Sequence, residues 1–170
     1  MTHIWTETGF VDNDPWTVEP EGSGTESRQN ALLPLADFLE RIETSNDGGL
    51  GVLISPFDDV MRLKPYLDRI ALIAVAFPAF NDGRAFSHAS LLRGRLGYTG
   101  EIRATGDVLI DQIPLMLRCG ITSFAVSNST ALARLAEGRL PGIDNHYQPT
   151  VVSEANPASY SWRRVAKPAA

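Results

Sequence analysis

The sequence has few of the side chains that proteins use for metal binding and redox chemistry. Its 170 residues include one cysteine, Cys119, and three histidines. A single cysteine excludes an internal disulfide, and it excludes a Cys-ligated zinc or iron–sulfur centre within one chain. His3, His88 and His146 are far apart and have no second ligand three or four residues away. We therefore predict no metal site and no cofactor of the chain's own.

Long hydrophobic runs and standard catalytic motifs are also missing. No apolar run approaches the roughly 20 residues needed to span a bilayer. The first residues, MTHIWTETGF, lack the basic and apolar regions of a signal peptide. We therefore expect a cytoplasmic protein with no membrane partner. The motifs GxGxxG, GxxxxGK[ST] and GxSxG do not occur, so nucleotide binding and acyl transfer have no sequence support and the catalytic residues stay unknown.

The charge is acidic overall but uneven along the chain. A net charge of −5 and a pI near 5.1 give no field that would attract nucleic acid, so no nucleic-acid partner is expected. From Asp82 to Arg118, however, five arginines face four acidic residues, a net +1, so the other residues carry −6. The middle of the chain is locally basic.

The hydrophobic pattern predicts an α/β fold. Short apolar runs alternate with helical patterns at intervals of roughly 20 to 25 residues, which is typical of βαβ units and a parallel sheet. We expect about four parallel strands, in either an open sheet with helices on both faces or a sheet curled like half of a (β/α)₈ barrel. The predicted strands are 51–55, 70–77, 102–104 and 123–127, and the predicted helices are 34–42, 58–68, 85–96, 108–118 and 130–138.

Composition divides the chain into three parts. Residues 1–30 contain a short β segment followed by a polar, Gly- and Ser-rich connector, which we expect to be mobile. Residues 31–140 form the α/β domain. Residues 141–170 are polar and Pro-rich with little periodicity, which predicts an irregular tail.

Polar side chains follow the predicted strands where each one ends. In a parallel sheet these loops lie along one edge, and such folds place their sites there. Arg84, at a helix start, adds a bidentate fork to the backbone N–H groups, so this edge could hold a carboxylate, phosphate, sulfite or an acidic side chain of a partner. The candidate anion- or partner-binding residues are Asp82, Gly83, Arg84, Ser87, Arg93, Arg103, Asp107 and Asp111.

Structural interpretations of the same residues stay open. Asp82 and Asp107 are suitable N-cap residues. Asp107 and Asp111 lie four apart, but an ion pair with Arg103 or Arg84 is favoured over a paired-carboxylate site. Helix arginines such as Arg93 most often lie solvated along a surface.

The middle of the chain resembles a known family. The run DGRAFSHASLLRGRLGYTGEIRATGDVLIDQIPLMLRCG is similar to the signature of the bacterial family DUF934, and the N-terminal DNDPW is similar too. Members are commonly labelled as probable oxidoreductases involved in sulfite reduction, because they accompany the haem-containing sulfite reductase subunit. The matching residues are Asp82, Gly83, Arg84, Ser87, Arg93, Tyr98, Gly100, Glu101, Arg103, Gly106, Asp107, Asp111, Gln112, Arg118, Cys119 and Gly120.

The resemblance implies a role in sulfur assimilation. Our first hypothesis is an accessory protein of assimilatory sulfite reduction, which contacts the sulfite reductase haem subunit or its electron donor through the edge bearing Arg84, Arg103 and Asp107. The alternative is a small enzyme that acts on an anionic metabolite bound at that edge. A third hypothesis is a purely structural domain.

Overall fold

The computed structural model describes residues 2–20, 30–44 and 49–142. These residues form one eight-stranded sheet in the order β2-β1-β8-β7-β6-β5-β4-β3, together with five helices. The predicted tail 141–170 and connector lie largely outside the described residues. The strands are β1 His3–Thr6, β2 Gly9–Val11, β3 Thr17–Val18, β4 Ala31–Pro34, β5 Leu50–Ile54, β6 Ile70–Phe77, β7 Glu101–Gly106 and β8 Ser123–Val126, and the helices are α1 Leu35–Thr44, a 3₁₀ helix Val60–Arg69, α2 Arg84–Gly94, α3 Ile113–Arg118 and α4 Ser129–Ala136.

The sheet is curled like half of a barrel. Strands β3 to β8 are parallel and neighbour one another in chain order. Crossovers of a single hand then place the connecting helices on one face. The prediction of about four parallel strands was too low, because β3 and β4 have only two and four residues, too short for a periodic pattern. The segment 1–30 supplies β1, β2 and β3 to the same sheet, with β1 antiparallel to β8.

Two predicted helices differ from the observed ones for local reasons. The segment 58–68 forms a 3₁₀ helix, capped by the Asp59 side chain and containing Pro65, which cannot donate a helical hydrogen bond. The predicted helix 108–118 begins only at Ile113, because Gly106 has a φ of +93° and the following residues form turns. The other three helices lie close to their predicted positions.

The two faces of the sheet are packed very differently. Alternate residues such as Ile73, Val75, Ile102 and Ala104 are fully buried under the helices in one large apolar cluster. The opposite, concave face has only a small cluster of buried residues, Leu32, Leu72 and Ala74, with Trp16 and Leu53 packed against it. Since side chains alternate along a strand, Arg103 and Thr105 belong to this concave face.

A short segment joins the two outer strands of the sheet. Residues Asp12–Trp16, here called the strap, connect β2 at one edge to β3 at the other. The path from Val11 to Thr17 can span at most about 20 Å, whereas eight strands lying flat would separate these edges by about 34 Å. The strap therefore requires the sheet to curl, and it crosses above the concave face.

Candidate functional site

The first candidate region is the edge at the carboxyl ends of the parallel strands. The Arg84 guanidinium binds the Asp82 carboxylate in two places, Nε to Oδ1 at 2.9 Å and Nη2 to Oδ2 at 2.6 Å. It also lies 3.9 Å from the centre of the Phe57 ring. The hydrogen bonds from Arg84 lower the pKa of Asp82 to about 2. Arg84 is therefore held in one orientation by an acid and an aromatic ring.

Two phenylalanines at this edge are exposed to solvent. Phe57, after β5, is 88% exposed, and Phe80, after β6, is 58% exposed. The Gln112 side chain donates a hydrogen bond to the carbonyl of Phe80, at 3.2 Å, and so ties the loop after β6 to the segment after β7. We call Phe57, Phe80, Asp82 and Arg84 the strand-end surface.

The neighbouring candidate residues are arranged more loosely. Gly83 occupies the N-cap position of α2 and makes no side-chain cap. Ser87, Asp107 and Asp111 are exposed. Arg84 pairs with Asp82 rather than with either of the last two carboxylates, contrary to the expected pairing. His88, one turn into α2, is half-buried, and desolvation lowers its pKa.

Arg93 has a structural position instead of forming an anion patch. Its Nε donates to the carbonyl of Gly120 at 2.8 Å, and its Nη1 donates to the carbonyl of Tyr98 at 2.6 Å. Gly120 has a φ of +94°, and a Cβ there would overlap Arg93 Cγ. Arg93 thus fastens α2 to two loops, with its donors turned inward.

Tyr98 is a second buried contact behind these loops. Its hydroxyl donates to the carbonyl of Ile70 at 3.2 Å. Burial raises the pKa of Tyr98 to about 12. A Cβ at Gly100 would overlap the Tyr98 hydroxyl, so packing explains the second glycine of the Gly-Tyr-x-Gly pattern, whereas the first, Gly97, has a positive φ of +70°.

The second candidate region is the concave face, around Arg103. The Arg103 side chain donates to both oxygens of Asp14 in the strap, at 2.7 and 2.9 Å. Its Nε and Nη2 also donate to Glu101, at 3.1 and 2.9 Å. The Ser123 hydroxyl donates to the same Glu101 oxygen at 2.5 Å. Arg103 is only 4% exposed. The sequence-based placement of Arg103 beside Arg84 and Asp107 was therefore wrong.

Burial and ion pairing act on Arg103 in opposite directions. Burial alone lowers the pKa of the Arg103 guanidinium. The hydrogen bonds and charges of Asp14 and Glu101 raise this pKa by more than burial lowers it, so the net shift is upward. The guanidinium stays charged and is compensated by two carboxylates.

A cleft opens beside this network, between the strap and the sheet. Its volume is about 660 Å³. It lies toward the carboxyl ends of β7 and β8, because its floor includes Thr105 and Ala125. The lining residues are Thr2, His3, Ile4, Val11, Asp12, Asn13, Asp14, Trp16, Val18, Leu32, Arg103, Thr105 and Ala125.

Sequence reasoning missed the strap as part of a site. Asp14 and Trp16 stand within the DNDPW motif, which had been related to the family without a role. The alternation of Ile102, Arg103 and Ala104 could have placed Arg103 on the face opposite the apolar residues. Nothing local, however, connects Arg103 with a carboxylate 89 residues earlier.

These observations define an α/β protein with a curled sheet, a covered convex face and a cleft on its concave face. Residues 51–158 match the model of the family described as bacterial protein of unknown function, DUF934. The match covers more than half of the 170 residues, so the chain belongs to this family, and the resemblance seen in the sequence is confirmed. No curated protein and no solved structure matches the chain.

None of the helices in the described residues is long and apolar enough to cross a membrane. No group of three or more His, Cys, Asp or Glu side chains in the same residues could hold a metal ion.

Proposed function

We propose that this protein is an accessory component of assimilatory sulfite reduction, and that it binds the sulfite reductase haem subunit or its electron donor through the strand-end surface. We infer sulfite reduction as the process from the resemblance to DUF934 proteins, which accompany the reductase. We infer binding of a partner as the mode of action from the exposed Phe57 ring, which packs against the Arg84 guanidinium.

The composition of the strand-end surface suits a protein partner. Aromatic and arginine side chains are enriched at interface centres and supply most binding hot spots. Two exposed phenylalanines on neighbouring loops offer apolar area that is available to a partner. Arg84 is already oriented by Asp82 and Phe57, so less side-chain freedom is lost on association.

The same contacts favour a protein partner over a small anion. Asp82 already occupies Nε and Nη2 of Arg84 and neutralises its charge locally. A sulfite or phosphate ion would have to compete with this bidentate carboxylate. A partner that inserts an apolar pocket around Phe57 would leave the ion pair intact. This difference supports the accessory role over the enzymatic alternative.

Co-purification with the reductase tests the proposal. The full chain carrying Phe57→Ala and Phe80→Ala is expected to bind the sulfite reductase at least about tenfold more weakly, as expected for the loss of an interface hot spot. Phe10→Ala is the matched control, since Phe10 is an exposed aromatic residue on β2. Equal capture by the double variant and the control would contradict a role for this surface.

A growth experiment tests the process separately. Arg84→Glu, with an intact fold by circular dichroism, is expected to impair growth on sulfate and to leave growth on sulfide or cysteine unchanged. Arg103→Glu is unsuitable as a surface probe because Arg103 is buried. A defect that persists on cysteine would rule out sulfite reduction as the process.

A further inference from the structure

The cleft on the concave face has the size and position of a small-molecule site. Its volume of about 660 Å³ falls within the roughly 300–1,000 Å³ of known ligand pockets, which are concave and mostly apolar. Sheets of alternating strands and helices carry their sites toward the carboxyl ends of the strands, where this cleft lies. The strand-end surface does not include any of its lining residues.

Small side chains keep the cleft open. In a complete (β/α)₈ barrel the interior is filled by bulky branched residues. Here the floor of the cleft includes the small side chains of Thr105 on β7 and Ala125 on β8. The space that larger residues would occupy is left next to the Arg103 network.

Trp16 forms part of one wall of the cleft, and a glycine on β5 leaves space for its ring. A Cβ at Gly51 would lie 2.5 Å from Cζ3 of Trp16 and 2.9 Å from Cδ2 of Leu32. The absence of a side chain at Gly51 therefore lets the Trp16 ring lie directly against β5. Trp16 also lines the cleft, and indole is the ring that attracts cations most strongly.

The charge around the cleft is negative. Arg103 has donors bound to Asp14, Glu101 and Ser123. The charged residues that line the cleft are Asp12, Asp14 and Arg103, a net charge of −1, and Glu101 contacts Arg103 from outside the lining. Each Asp14 oxygen accepts one bond from Arg103, and a carboxylate oxygen can accept a second. Both Asp14 and Glu101 accept hydrogen bonds from the Arg103 guanidinium, so an anion that bound to Arg103 would have to compete with Asp14.

We propose that this cleft binds a small organic cation, an amine or amidine attached to an apolar or aromatic group. The ammonium or amidinium group would be placed between Asp12 and Asp14, and the apolar part would pack on Trp16, Ile4 and Ala125. The proposal is independent of the partner bound at the strand-end surface.

Two probes of matched shape and opposite charge test the chemistry. Benzamidine and benzoate are titrated into the full-length chain, with binding followed by calorimetry and thermal shift. Benzamidine is expected to bind saturably, at least about tenfold more tightly than benzoate, because a hydrogen bond between charged groups contributes that much. Its affinity should fall as salt is added. Absence of saturable benzamidine binding, or equal binding of benzoate, would overturn the proposal.

Two variants assign the binding to the cleft. Asp12→Asn changes an exposed lining carboxylate that is not among the hydrogen-bond partners of Arg103, and it should weaken benzamidine binding about tenfold. Asp107→Asn changes an exposed carboxylate that does not line the cleft, and it should leave the affinity unchanged. An unchanged affinity in Asp12→Asn would place the binding elsewhere and overturn the assignment.

The cation could come from a free metabolite or from a lysine or arginine side chain of another protein. Competition against benzamidine by an alkylamine and by a short arginine-containing peptide separates these two sources. Stronger displacement by the alkylamine supports a free small molecule, and stronger displacement by the peptide supports a protein side chain. Failure of both to displace benzamidine would contradict a cation site.

Discussion

Two arginine–aspartate pairs among the described residues differ in the exposure of their arginines and in their separation along the chain. On the strand-end surface, Arg84 and Asp82 are two residues apart, and their side chains are 45% and 14% exposed. On the concave face, Arg103 and Asp14 are 89 residues apart in the chain, with exposures of 5% and 16%. The local, exposed pair leaves Phe57 and Arg84 free to meet a partner, whereas the distant, buried pair fixes the strap to the sheet. The same pairing thus forms an exposed, local contact at one place and a buried contact that fixes the architecture at the other.

Removing the buried cation is the largest expected perturbation. Arg103→Met should lower the free energy of unfolding by about 3 kcal/mol, the lower end of the range for breaking a buried ion pair, because Glu101 is partly exposed. The Asp14 carboxylate, which belongs to the strap, would then lose its ion pair with Arg103. Urea denaturation measures the change, and adding Asp14→Leu should restore part of the stability. A loss below about 0.5 kcal/mol, as for ordinary surface positions, would show that the pair does not fix the strap.

The next effect concerns the glycine beneath the strap. Gly51→Ala should destabilise the fold by about 1–3 kcal/mol, the usual result of overpacking, because the new methyl group meets the Trp16 ring. Gly83→Ala, at the strand-end surface, is the control, since its Cβ would meet only Phe86 at 3.9 Å. Denaturation in a Trp16→Ala background should show a smaller cost for Gly51→Ala. Equal costs in both backgrounds would mean that Trp16 is not the neighbour that matters.

Alkaline titration should detect the buried hydroxyl of Tyr98. The pKa of Tyr98 is raised from 10.0 to about 12 by burial, so the unfolded chain loses this proton first. Its stabilising contribution is complete below pH 10 and is lost as the pH rises through 12. At pH 11 the loss is roughly 1.4 kcal/mol. Tyr98→Phe should flatten this part of the stability profile. An unchanged slope between pH 10 and 12 in that variant would contradict the burial of the hydroxyl.

The smallest effect on stability is expected at the exposed pair. Arg84→Ala should lower the denaturation midpoint at pH 7 only slightly, because solvent screens an exposed ion pair and leaves it a small contribution. The lowered pKa of Asp82, about 2 against a usual 3.8, gives a contribution that is present above pH 3.8 and lost as the pH falls through 2. A large drop in midpoint at neutral pH would remove the contrast between the two pairs.

Sequence reasoning recovered the repeating part of the fold. The strands near Gly51, Ile70 and Ser123 and the helix after Gly83 could be predicted because each has a continuous or periodic apolar pattern. Ala31–Pro34 was missed because three apolar residues that run directly into α1 resemble a helix start. The division at residue 31 remains a prediction.

The candidate site was recovered only where its contacts are local. Asp82 and Arg84 were expected at the strand-end edge and are found there, although their functional role remains a prediction. Arg103 was assigned to that edge although it lies within the predicted strand 102–104, because the alternation of side chains along that strand was not taken into account. The contact between Arg103 and Asp14 forms because the curled sheet brings the strap over β7. The spacing of residues along the sequence does not predict such a distant contact.

The pairing of β1 with β8 also determines when the segment 3–14 can become structured during synthesis. His3 pairs with Val126, and Asp14 pairs with Arg103, so residues 3–14 cannot find these partners until almost the whole α/β unit has left the ribosome. Such distant contacts slow folding, since long loops must close first. Residues 3–14, although they emerge before the α/β unit, should therefore stay accessible to a protease until β8 has emerged.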